Sequence, residues 1–105
     1  MLAVEYEQME SAVIVTRHKP TARYLLRKGI APFGTRVIDT ATPDDVIGKH
    51  VFGVLPLGLA ALADRVTTVH IPRPQRDDAA DRELSYDEVC TYAGEPVTYR
   101  VVVVS

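Results

Sequence analysis

Ala12-Val13-Ile14-Val15-Thr16-Arg17-His18-Lys19-Pro20 is the stretch that decides the fold. Ala12 to Val15 is a continuous apolar, largely β-branched run with no polar alternation, the signature of a strand covered on both faces in a parallel sheet. The run ends at Thr16, and a basic loop follows. A helical pattern comes next, with Pro20 at an early helical position, Ala22, Leu25 and Leu26 at spacings of three and four, and Gly29 just past the end. The opening unit is therefore strand, loop, helix. Arg23 and Arg27 lie four apart and form a basic ridge on one face of that helix.

Outward from this unit the alternation continues. Arg36 to Asp39 reads as a second short strand, and Thr42 is placed to cap a single helical turn. His50 to Leu55 forms a third strand, broken by Gly53, after which Pro56 opens the helix Leu57 to Ala63. That helix is apolar all round, so it is either buried in the core or covered by a partner subunit. Val66 to Ile71 is a fourth strand, and Pro72 to Asp78, with two prolines and five polar side chains, is a surface loop. Ser85-Tyr86-Asp87-Glu88 has the spacing of a capping box, predicting a helix from Tyr86 to Ala93 that stops at Gly94. Val97 to Val104 is strongly β-branched and completes five strands.

Strand and helix alternate, so the expected class is α/β, with a mostly parallel five-stranded sheet and helices on both faces. The connection between strands two and three is short for a parallel crossover, which leaves room for one antiparallel strand there. A doubly wound order of the 2-1-3-4-5 kind puts the switch point between strands one and three. The loops at that point are Arg17 to Pro20 and Leu55 to Leu57, and ligands of open α/β sheets bind there. Gly53, Leu55 and Pro56 are candidate ligand contacts for that reason, together with Thr16 and Arg23 of the basic unit.

A length of 105 residues is one domain's worth, taken as residues 1–105 with 1–10 as an extended or disordered leading segment. Met9 offers an alternative start. Apolar residues at 47% and charged residues at 25% fit a globular protein rather than a disordered or fibrous one. So small a chain buries roughly 65% of its unfolded surface, which favours sharing any sizeable ligand between two subunits. The net charge of −2 hides a polarised distribution. Between Ser11 and Val37 there are six cations and no anion, while the remainder carries fourteen acids against six bases. Such a distribution also suits a solvated basic helix face with an acidic loop elsewhere. A single cysteine, Cys90, excludes an intrachain disulfide and a multi-cysteine zinc site, which fits a reducing cytoplasm. No basic n-region opens the chain, and nothing approaches the roughly 18 apolar residues of a membrane span, so neither a signal peptide nor a membrane partner is expected.

Thr16-Arg17-His18-Lys19 combines a hydroxyl, two permanent cations and an imidazole at a helix N-terminus, where unpaired N–H groups and the macrodipole already favour anions. A phosphate is the natural guest, although a cation-rich turn can equally be solvated. There is no P-loop and no G-x-G-x-x-G. His18 is the candidate acid or base; His50 and His70 fall in predicted strands and read as structural. The histidines lack the spacing of a metal site, so neither metal nor cofactor is expected. Cys90 lies mid-helix without a flanking cation, and no nucleophile elbow occurs. Arg73, Arg76, Arg82 and Glu83 follow the fourth strand on its carboxyl side, either folding over a ligand or, for Arg82, pairing with a neighbouring acid.

Val13-Ile14-Val15-Thr16-Arg17-His18, Gly29-Ile30, Gly53-Val54-Leu55-Pro56-Leu57 leading into Leu59-Ala60-Ala61, and Arg82-Glu83-Leu84-Ser85 occur in an order and spacing that resemble a family of small CRISPR-accessory proteins, the sixteenth in the Csx series. The resemblance covers about Ala12 to Tyr99. The family's usual glycine after His-Pro and its Arg-Gly before Glu-Leu-Ser are replaced here, where Lys19 stands between His18 and Pro20 and Asp81-Arg82 precedes Glu83.

The resemblance implies a Rossmann-like (CARF-like) domain, a cytoplasmic homodimer, working beside type III CRISPR systems that signal with cyclic oligoadenylate. It implies binding of that ring, most naturally cyclic tetra-adenylate, and its degradation as a ring nuclease without a metal. Arg17 and Lys19 would neutralise phosphate charge and His18 would manage a proton. The loop residues Arg73, Arg76, Arg82 and Glu83, with Ser85, would complete the ligand site. The alternative is a non-catalytic sponge or sensor module that only binds the ring; long DNA or RNA is not an expected partner.

Overall fold

β1 is Ala12–Val15, and all four of its residues are buried. In the computed structural model, which describes residues 11–72 and 84–105, β1 pairs in parallel with β2 (Arg36–Ile38) on one side and β3 (His50–Gly53) on the other. β4 (Arg65–Val69) extends the parallel set beside β3, and β5 (Pro96–Tyr99) pairs antiparallel with β4. The order β2-β1-β3-β4-β5 is the expected one, with β1 and β3 flanking the switch point. Among the described residues, no helix is long and apolar enough to cross a membrane.

Alternation along β1 divides the core in two. Val13 and Val15 pack on one face with Val51, Val66, Val46 of α2 (Pro43–Val46) and Ala60 of α3 (Leu57–Ala60). Ala12 and Ile14 pack on the other with Phe52 and with Ala22 and Leu25 of α1 (Lys19–Arg27). A third cluster of Tyr24, Leu84 and Val89 joins α1 to α4 (Tyr86–Tyr92). Each fully buried aliphatic side chain contributes about 1.5–3 kcal/mol, so the fold rests on these three clusters.

The caps follow the sequence. Ser85 Oγ accepts from the Glu88 amide at 3.2 Å, and Glu88 Oε1 accepts from the Ser85 amide at 2.9 Å, closing the capping box of α4. At α2 the Thr42 amide and hydroxyl both donate to Asp45 Oδ2, at 2.8 and 2.9 Å. Arg36 reaches the other oxygen of Asp45 at 2.8 Å. Hydrogen bonds from the Thr42 amide and hydroxyl, aided by Arg36, hold the Asp45 carboxyl below its ordinary range.

Several boundaries differ from the sequence pattern, each for a tertiary reason. The helix expected over Leu57 to Ala63 stops at Ala60, because the Leu62 carbonyl accepts from the Gly48 amide and the Asp64 amide donates to the Lys49 carbonyl, drawing the chain into β4. The strand expected over His50 to Leu55 ends at Gly53, whose φ of 140° turns the chain out of the sheet. β4 covers Arg65–Val69 rather than Val66 to Ile71, which leaves His70 beyond the strand and exposed. The strand expected over Val97 to Val104 is Pro96–Tyr99, since Tyr99 already pairs with Val66 near the start of β4 and residues beyond it run past their partner. The short β2 to β3 connection is parallel after all. The antiparallel strand is β5, because the Gly94 amide donates to the His70 carbonyl at 2.9 Å, so the chain leaves α4 at the carboxyl end of β4 and must run back down.

Candidate functional site

The carboxyl ends of β1, β3 and β4 open on one cleft of about 780 Å3, within the ~300–1,000 Å3 typical of small-molecule sites. Thr16 and Arg17 line it from β1, Gly53 and Val54 from β3, His70 and Ile71 from β4, and Thr21 and Leu25 from α1. It extends along β4 to Thr68 and Tyr99. The crevice exists because the chain leaves β1 for a helix on one face and β3 for a helix on the other, and Gly53 sets the close approach of the two strands. Val15 pairs with Gly53, and a Cβ at Gly53 would overlap the Val15 carbonyl oxygen.

Arg17 is exposed at the cleft, and its guanidinium donates to Thr40 Oγ1 at 3.3 Å, bridging the loops after β1 and β2. Thr16 accepts from the His18 amide at 3.1 Å through its hydroxyl, which shapes the turn into α1. His18 is the N-cap of α1 and half-buried. Its Nε2 lies 2.7 Å from the Leu84 carbonyl oxygen and its Nδ1 2.7 Å from Thr21 Oγ1. A carbonyl oxygen only accepts, so Nε2 carries a proton, and in the neutral ring Nδ1 accepts from the Thr21 hydroxyl. A hydroxyl on the cleft wall, an imidazole and an orienting carbonyl thus stand in series, which is the arrangement of a base held by a third group. His18 itself is not among the residues lining the cleft, and both its ring nitrogens are engaged, so Nδ1 reaches the cleft only by way of the Thr21 hydroxyl.

Of the residues singled out in the sequence, Thr16, Arg17 and Gly53 meet on the cleft wall. Lys19 begins α1 and is exposed beside them in sequence. Leu55 packs against the core face of α2 and α3, and Pro56 is the N-cap of α3. Arg23 lies away from the lining and stacks on the Tyr86 ring, 4.8 Å from its centroid. The Ser85 hydroxyl is engaged in the α4 cap. Arg73, Arg76, Arg82 and Glu83 lie outside the described residues. Thr21, Asp39 and His70 are lining residues that the sequence pattern missed. His70 is a correction: it stands on the cleft and not within a strand. Thr21 had a signal, its position three residues after His18 at a helix start. Asp39 had a weaker one, as the last residue of the expected strand Arg36 to Asp39, which ends at Ile38 and leaves Asp39 on the cleft. Comparison with protein-family models, with curated proteins and with solved structures gives no match.

Proposed function

We propose that this chain binds a cyclic oligoadenylate, cyclic tetra-adenylate by preference, at the carboxyl edge of its sheet and opens it as a ring nuclease. The observation that carries this reading is the switch-point cleft with Arg17, Thr16 and the start of α1 on its wall. The resemblance of the strand-one and strand-three motifs to the CRISPR-accessory family supplies the ligand, and with it a Rossmann-like, CARF-like classification and a cytoplasmic setting. One cleft of this size with one lining arginine is small for a four-phosphate ring. A two-fold dimer presents Arg17, His18 and Lys19 twice around a symmetric ligand.

The chemistry draws on the chain, its ligand and solvent water. A ribose 2′-oxygen forms a bond to the adjacent phosphorus as the bond from phosphorus to the 5′-oxygen breaks. The products carry a 2′,3′-cyclic phosphate and a 5′-hydroxyl. The 2′-hydroxyl proton passes to a base, and solvent water gives a proton to the departing 5′-oxygen. Arg17 and Lys19 stabilise the phosphorane charge, and His18 Nδ1 accepts the proton, either directly after displacing the Thr21 hydroxyl or through it.

The saturation of both His18 ring nitrogens favours a second reading, a module that binds the ring without turning it over. Incubation with labelled cyclic tetra-adenylate in EDTA separates them. Conversion to linear products with 2′,3′-cyclic phosphate ends, slowed about 100-fold or more in His18→Ala, is the expected result. Unchanged ring after long incubation at high protein concentration overturns the enzyme. Tight binding without turnover, indifferent to His18→Ala, decides for the binding module.

A further inference from the structure

Lys19, Arg23 and Arg27 repeat every four residues and form one exposed ridge along α1, about 12 Å long at 1.5 Å per residue. Among the described residues, none of the three is in an ion pair. Arg23 and Arg27 are nevertheless held in place. Their guanidinium carbons lie 4.8 and 5.4 Å from the centroid of the same ring, that of Tyr86 on α4. Stacking uses the flat face of a guanidinium and leaves its in-plane N–H fork free, and neither arginine spends that fork on a hydrogen bond to another described residue. The result is two guanidinium groups gathered over one ring from backbone positions about 6 Å apart along the helix, followed by an ammonium attached one turn further toward its N-terminus. No acidic residue occurs between Ser11 and Val37, and among the described residues no ion pair joins the ridge to the acids of α4, Asp87 and Glu88.

We infer that this ridge is a binding track for the backbone of a short single-stranded oligonucleotide, engaging two or three consecutive phosphates. Charge complementarity sets the class of ligand. A planar fork matches a phosphate bidentately, and three cations in line along one helix face suit the successive phosphates of one extended strand. The length of α1 limits the engaged stretch. Tyr86 is a positioning residue here, because it fixes the two forks. Arg23 and Arg27 set the ridge apart from the cleft, whose lining contains neither, while Lys19 is shared with the ring site proposed above.

Fluorescence anisotropy with a 5′-labelled linear hexa-adenylate RNA tests the track over ~50–200 mM salt, where three contacts to a single strand give a log–log slope of about −2. In Arg23→Gln/Arg27→Gln the expectation is at least a tenfold loss and a slope shallower than −1. Arg23→Lys/Arg27→Lys, which keeps the charge, retains the slope and loses only a few-fold. Tyr86→Leu weakens binding a few-fold at unchanged slope. Circular dichroism of each variant checks that α1 and α4 are intact. Hexa-adenylate binding that is absent in the wild type, or equal in wild type and the folded Gln double variant, overturns the proposal and leaves the arginines as a structural staple between α1 and α4. Loss of ring cleavage alone does not touch it.

Discussion

The two faces of the sheet are covered unequally. On one, α1 spans nine residues and α4 seven, and they meet over Tyr24, Leu84 and Val89, with His18 tied to the Leu84 carbonyl. On the other, α2 and α3 are four residues each, and apolar side chains remain in solvent: Leu57 is 75% exposed, and Val97 and Tyr99 are about half exposed. The difference teaches where rigidity is concentrated. The basic loop between β1 and α1 is braced from the well-covered face, while the thin face leaves an apolar strip beside β5. Both faces depend on the seam where β1 meets β3.

Gly53→Ala strikes that seam and is expected to have the largest effect. A left-handed φ and a backbone overlap with Val15 together cost about 3 kcal/mol or more, read as a fall in the urea midpoint. An unchanged midpoint would mean that β1 and β3 do not approach as described. Val89→Ala and Leu57→Ala then set one face against the other. Removing two methyl groups from the fully buried Val89 costs about 2 kcal/mol, whereas Leu57→Ala stays within about 0.5 kcal/mol in the monomer. Equal losses would erase the contrast between the faces. If Leu57→Ala also weakens self-association in sedimentation, the thin face is where a second copy sits.

The smallest effect is a pH dependence. His50 Nε2 lies 2.6 Å from Thr67 Oγ1, which in turn lies 2.7 Å from Thr98 Oγ1, and the His50 ring stacks on Phe52 at 4.1 Å. Burial first, and then the Arg65 charge, push the His50 pKa below its ordinary 6.5. The unfolded chain therefore binds this proton more readily than the folded one, so stability declines as pH falls from about 6.5 toward the depressed folded value. Thermal melts from pH 7.5 to 5 should show that decline, and His50→Gln should flatten it. A decline of the same size in His50→Gln would assign it to another group.

Much of this was legible before any coordinates. The apolar run Ala12 to Val15, Pro20 with Gly29, and the Ser85 to Glu88 box are local signals, and local physics decided them. Their order along the chain placed the switch point correctly. The reversal of β5 was not legible, because it depends on pairing with β4 and on the hydrogen bond from Gly94 to His70, contacts between residues 24 or more positions apart. The early end of α3 was hidden for the same reason, since the bonds to Gly48 and Lys49 are tertiary. In the site, Thr16, Arg17 and Gly53 were readable because a strand end and a glycine mark them. His18's engagement with Leu84, 66 residues away, was not. The basic charge run was visible as composition alone, and only packing separated Arg17 on the cleft from Arg23 and Arg27 on Tyr86.

Calorimetric titration of the chain with cyclic tetra-adenylate, beside Arg17→Ala, tests the central claim most directly. A carboxyl-edge site shared by two copies predicts one ring bound per two chains and a loss of about 2 kcal/mol or more when Arg17, the proposed charged donor to the ring, is removed. No heat of binding, or equal affinity in Arg17→Ala, would contradict it.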